Sequence, residues 1–145
     1  MSTTEDNKRL ARRFYKEPLE ERRSSVLEEL VADDYVDADA QAAEEKVPGP
    51  KGVKRVNDRF LAAFTDIRVT IEDQIAEGDK VVTRWSTAGT HSGEFMGVAP
   101  TGRRVHTSGV EIHLVRDGRI AAEWGASDEL GLLAQLGAIE FRRGP

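Results

Sequence analysis

The second half of this 145-residue chain carries four runs of period-two alternation joined by turn signals, and that pattern constrains the fold more than any other feature. Ile67, Val69, Ile71 and Ile75 share one phase of the first run, and Asp73 interrupts that face as a bulge would. Glu77-Gly78-Asp79 reads as a hairpin turn. Val81, Thr83, Trp85 and Thr87 then fall on one face of a second strand. A Gly-rich loop broken by Pro100 separates it from a third strand, Val105 to Val115, whose apolar phase is Val110, Ile112 and Leu114. Asp117-Gly118 is a strong two-residue hairpin signal, and Arg119 to Trp124 is the fourth strand.

The first half reads as helix. Ser2-x-x-Glu5 and Thr3-x-x-Asp6 both have capping-box spacing, and Leu10, Ala11 and Phe14 follow on one helical face up to a stop at Pro18. A second helix starts at Ser25-x-x-Glu28, with Val26, Leu27, Leu30 and Val31 apolar, and a short extended piece surrounds Tyr35. Residues Gln41 to Pro50 read as loop, and Gly52 opens a third helix carrying Val53, Val56, Phe60 and Phe64. A short closing helix runs from Asp128 to Leu136, with Gly137 fit for its C′ position. Helices first and antiparallel strands later predict an α+β fold rather than alternating α/β, in a single domain over 1–145.

Composition removes several function classes. The net charge is −5 and the pI about 5.3, against the basic footprint of a nucleic-acid binder. Cys is absent, which excludes disulfides, thiolate nucleophiles and Cys-based metal sites and fits a cytoplasmic protein. No apolar run reaches the roughly 20 residues of a membrane span, so no membrane partner is expected. His91, His106 and His113 lack the i, i+4 spacing of a helical zinc site, and no metal is expected. No Gly-x-Ser-x-Gly elbow or phosphate-binding Gly-Lys loop is present.

The loop Gly89 to Val105 and the segment Asp117 to Gly137 resemble the SnoaL-like polyketide cyclases, and Gly49-Pro50-x-Gly52 and the Glu77 hairpin match as well. The resemblance runs from about Arg12 to Gly137. It implies a strongly curved antiparallel or mixed sheet, forming a cone or half-barrel covered by N-terminal helices, with an internal apolar pocket. Nuclear transport factor two has that architecture. It also implies an enzyme without cofactor, acting on a hydrophobic polyaromatic substrate as a homodimer. Family members close rings in aromatic polyketides by intramolecular aldol condensation, while relatives of the same fold hydroxylate a polyketide carbon. A binding protein using the cone as a ligand cup is the reading from another class.

By position alone Asp128 reads first as a helix N-cap; four residues after Trp124, it matches the family's acid/base Asp, and the resemblance gives it the catalytic role. His91 matches a family His and is the second catalytic candidate, or else a polar residue at a strand end. Trp85 and Trp124 offer flat walls to a flat ligand, although core packing is the commoner role. Asn57 lies near a position that contacts substrate in some members, and Met96 suits a flexible lid. Phe60 and Phe64 line the same side or belong to the core. Glu111 and His113 share a phase: inside the cone they form a polar relay, outside they join the dimer face, and the more apolar opposite phase favours outside. One departure stands out. A His that many members carry shortly after the second helix is Ala38 here, which weighs against plain cyclase chemistry and toward hydroxylation.

Overall fold

The computed structural model describes residues 2–40, 46–142 and 144. Helix α1 (Thr4–Tyr15) is opened by a capping box in which the Asp6 N–H donates to the Thr3 hydroxyl at 3.0 Å and the Thr3 N–H donates to the Asp6 carboxylate at 3.1 Å. Its buried stripe is Asn7, Ala11, Phe14 and Tyr15. Pro18 does not stop the chain as expected. The helix widens into a π-helical turn over Lys16–Glu20, which relieves the clash a proline ring makes with the carbonyl four residues back.

The second helix is shorter than its pattern suggests. A 3₁₀ turn at Ser24–Val26 leads into α2 (Leu27–Leu30), and Val31, expected in the helix, instead begins β1 (Val31–Asp37). Pairing decides this: Val31 lies opposite Ile120 in a parallel ladder, and β-branched residues suit that role. Helix α3 (Gly49–Ala63) starts three residues before Gly52, with Pro50 in its first turn. Residues 41–45 of the expected loop lie outside the described residues.

Four long strands follow: β2 (Phe64–Glu77), β3 (Lys80–His91), β4 (Arg104–Arg116) and β5 (Arg119–Ser127), before α4 (Glu129–Gln135). The sheet order is β1-β5-β4-β3-β2, antiparallel except for the β1–β5 pair, so the sheet is mixed and open. The α+β expectation is met. The β4–β5 turn has Asp117 at φ 52° and Gly118 at φ 74°, both left-handed as a type I′ turn requires. The helices cover one face of the sheet, and Phe14, Leu27, Leu30, Val53, Phe64 and Ile120 belong to the core between them.

Two strand phases differ from expectation. The β2–β3 register shifts between Ile71 and Asp73, so the bulge is real, and beyond it the face reverses. Ile75 is 65% exposed, while Gln74 turns inward and donates to the buried Thr83 hydroxyl at 3.2 Å. On β4 the inward phase is the polar one. His113 and Val115 are buried, and Val110 and Ile112 are 44% and 36% exposed. The lean toward an outward Glu111 and His113 is therefore overturned: both sheet faces are rich in apolar residues, so hydrophobicity could not tell them apart. No helix among the described residues is long and apolar enough to cross a membrane.

Candidate active site

Three rows of residues cross the covered, concave face of the sheet. Val81, His113, Glu123 and Asp37 are paired in the first, Thr83, Glu111 and Gly125 in the second, and Trp85, Gly109 and Ser127 in the third. Helix α1 lays Phe14 and Tyr15 over them. Tyr15 lies 6.2 Å from Trp85 and 5.6 Å from His113 between ring centroids, and Phe14 lies 4.9 Å from His113.

The centre of this face is a polar cluster. The Tyr15 hydroxyl donates to Glu111, and the Tyr35 hydroxyl donates to Glu123 at 2.5 Å. His113 Nε2 stands 3.8 Å from Glu123 Oε1, an ion-pair distance when the imidazole is protonated but too long for a hydrogen bond. His113 is fully buried, and neither of its ring nitrogens has a hydrogen-bond partner among the described residues. The Glu123 side chain keeps 15% exposure, so the cluster borders solvent.

Electrostatics splits the two carboxyls. Burial, then the nearby Glu123 charge, push Glu111 well above the usual carboxylate range, and the Tyr15 hydroxyl offsets only part of this. Burial also pushes on Glu123, but the His113 imidazole, the Tyr35 hydroxyl and the Glu111 carboxyl outweigh it and hold Glu123 below that range. Burial and the same carboxylates raise both tyrosine hydroxyls far above their ordinary values, so both remain donors. One proton shared by two carboxyls is the arrangement that lets one serve as acid and the other as base. Glu111, His113 and Glu123 each also offer an atom within 4.8 Å of the other two, a spread that a cation could occupy.

The other expected residues are dispersed. Asp128 is exposed and caps α4, accepting the Gly131 N–H at 2.9 Å. His91 is fully buried, and its Nδ1 accepts the Thr101 N–H at 3.2 Å. It closes the base of the 92–102 loop, since its own N–H donates to the Arg103 carbonyl and its carbonyl accepts from Gly102. Phe60 and Phe64 meet Phe95 there, at 5.4 and 5.2 Å, and Phe64 also meets His91. Met96 is 61% exposed on that loop, and Asn57 is half-buried on α3. Trp124 does not share a wall with Trp85: it pairs with Ile112 on the outer face. Tyr15, Tyr35 and Glu123 were not singled out by sequence.

The family description SnoaL-like polyketide cyclase matches residues 9–136. The chain belongs to this family. Among solved structures, TsrD from Streptomyces laurentii is 26% identical with a TM-score of 0.85, covering 96% of this chain and 100% of that one. AclR from Streptomyces galilaeus, a proposed hydroxylase, is 28% identical with a TM-score of 0.80, covering 95% and 100%. IdmH from Streptomyces antibioticus, a proposed polyketide cyclase, is 37% identical with a TM-score of 0.75, covering 90% and 98%. No curated protein gives a significant match. The SnoaL-like fold expected from the loop and hairpin motifs is thereby established, and its concave face is more polar than an apolar pocket would be.

Proposed function

We propose that this SnoaL-like protein is a cytoplasmic, cofactor-independent cyclase that closes a ring in an aromatic polyketide by intramolecular aldol addition. The reading is carried by the neighbouring Glu111 and Glu123 carboxyls, held by the Tyr15 and Tyr35 hydroxyls beside the rings of Phe14, Tyr15 and His113, with burial and their partners pushing the two in opposite directions. A methylene between two carbonyls is acidic enough for a positioned carboxylate to deprotonate. Glu123 takes the methylene proton while Glu111 delivers its own to the neighbouring carbonyl oxygen, giving an enol. The enol carbon then attacks a second carbonyl of the same molecule and the C–C bond forms. The enol proton returns to Glu111, and the proton held by Glu123 passes to the new alkoxide. The pair ends as it began, so no co-reactant is consumed. Tyr15 and Tyr35 keep both carboxyls oriented. Asp128, exposed and capping α4, is the competing acid/base.

Hydroxylation is the second reading, supported by the resemblance to AclR and by Ala38 at the place of the family His. The test supplies the purified protein with a linear aromatic poly-β-ketone in air and under argon, following product by mass. Ring closure should proceed equally without oxygen, and Glu111→Gln should lower turnover by about 10²–10⁴-fold while Asp128→Asn changes it little. Product that requires oxygen favours hydroxylation. The opposite ranking of the two variants moves the acid/base to Asp128, and turnover lost to a chelator and restored by a divalent cation replaces the shared proton with a metal.

A further inference from the structure

We infer that Trp85 Nε1 is the donor of a ligand subsite that takes an acceptor oxygen, a ring carbonyl or phenolic oxygen, on the edge of a planar aromatic molecule. The inference rests on the concave face being the ligand site, as the cyclase reading requires. Trp85 is 9% exposed and its indole N–H has no hydrogen-bond partner among the described residues. A buried donor left unpaired is costly, and such groups recur where a ligand completes the bond.

The surroundings fit a flat ligand. A Cβ on Gly109 would stand 2.5 Å from Trp85 Cζ2, so the indole lies across the bare backbone of β4. A Cβ on Gly125 would stand 2.5 Å from Glu111 Cγ, so Glu111 lies across β5 in the same way. The two glycines thus make room for the indole and for the Glu111 side chain on two adjacent rows. The Trp85 row ends at the exposed Ser127, which gives it an open end, and the Glu111 row runs beside it. An aromatic ring on the first row brings its neighbouring carbons to the carboxyl of the second. An indole N–H only donates, so the matching ligand atom must be an acceptor. A hydrocarbon ring gains only the wall.

The test uses the full chain carrying Trp124→Phe, which leaves Trp85 as the sole tryptophan. Its fluorescence is titrated with 1,8-dihydroxyanthraquinone and with anthracene. The hydroxyquinone should quench with at least tenfold higher affinity. Replacing Trp85 by benzothienylalanine, which keeps the ring shape and removes the N–H, should lower hydroxyquinone affinity five- to tenfold by calorimetry and leave anthracene unchanged. Gly109→Ala, which pushes the indole, should weaken both ligands alike. Equal affinity for the two rings, or an unchanged hydroxyquinone affinity in the benzothienylalanine protein, overturns the inference and reduces Trp85 to a wall. Tight, N–H-dependent binding in a protein that closes no ring supports the inference and removes the cyclase reading alone.

Discussion

At the scale of residues, Glu111 carries a cost that pH can reveal. Its carboxyl is raised above the unfolded value of 4.5 by burial and by Glu123, so over the window above 4.5 the native state binds more protons than the unfolded chain. That contribution is fully present below 4.5 and is lost as pH rises through the native value. Glu123 has the opposite sign: its native value is depressed, so its contribution is present above 4.5 and lost as pH falls through that lower value. We predict that wild-type stability declines as pH rises above 4.5 and that Glu111→Gln flattens this slope. Denaturant midpoints at several pH values measure it, and parallel curves for the two proteins would remove the raised carboxyl. Glu111 and His113 were visible in the sequence as a polar pair of one phase, but their direction was not. Their face could be settled only by what covers it, namely Phe14 and Tyr15 on α1, with Tyr15 lying 96 residues before Glu111 in the sequence.

At the scale of elements, two irregularities hid the rest of the site. In a regular two-residue hairpin around Asp117-Gly118, His113 would face Ala122. The register shift between Leu114 and Val115 inserts one residue on β5 and brings Glu123 opposite His113 instead. A one-residue slip exchanges the faces of a strand, so Glu123 entered the site and Trp124 left it. The Asp73 bulge did the same on β2, sending Ile75 out and Gln74 in. Capping was legible in part, because it depends on residues three apart: the Thr3–Asp6 box and the Asp128 cap both form, while the start expected at Ser25-x-x-Glu28 gives no side-chain cap and α2 begins instead after Val26. Asp128→Ala should therefore cost about 1 kcal/mol through the lost bond to the Gly131 N–H, and Asp128→Asn close to nothing. Chemical denaturation of both variants checks this independently of turnover. Equal losses would mean that the carboxylate charge, rather than the cap bond, stabilises α4.

At the scale of the whole molecule, the outer face of the sheet leaves an apolar surface uncovered. Val82, Ile112 and Trp124 stand in one row across β3, β4 and β5, and Leu114, Ala122 and Val36 in the next. Ile112 is 36% and Val36 50% exposed. Contiguous apolar patches on a monomer mark association surfaces, and a single face that meets its own copy about a two-fold axis needs only to be self-complementary. The homodimer expected from the sequence is proposed again here, through the opposite residues: Glu111, His113 and Val115 point inward, so Val82, Ile112 and Trp124 make the contact. Ile112 sits at the middle of its row, where a charge in the dimer would be buried without a partner. We predict that wild type scatters light as twice 16.0 kDa at micromolar concentration and that Ile112→Lys gives the 16.0 kDa species. Because Ile112 points away from Glu111, ring closure by the monomeric variant should survive. A wild-type chain that is already monomeric at that concentration ends the dimer proposal, and an Ile112→Lys dimer moves the contact off this face.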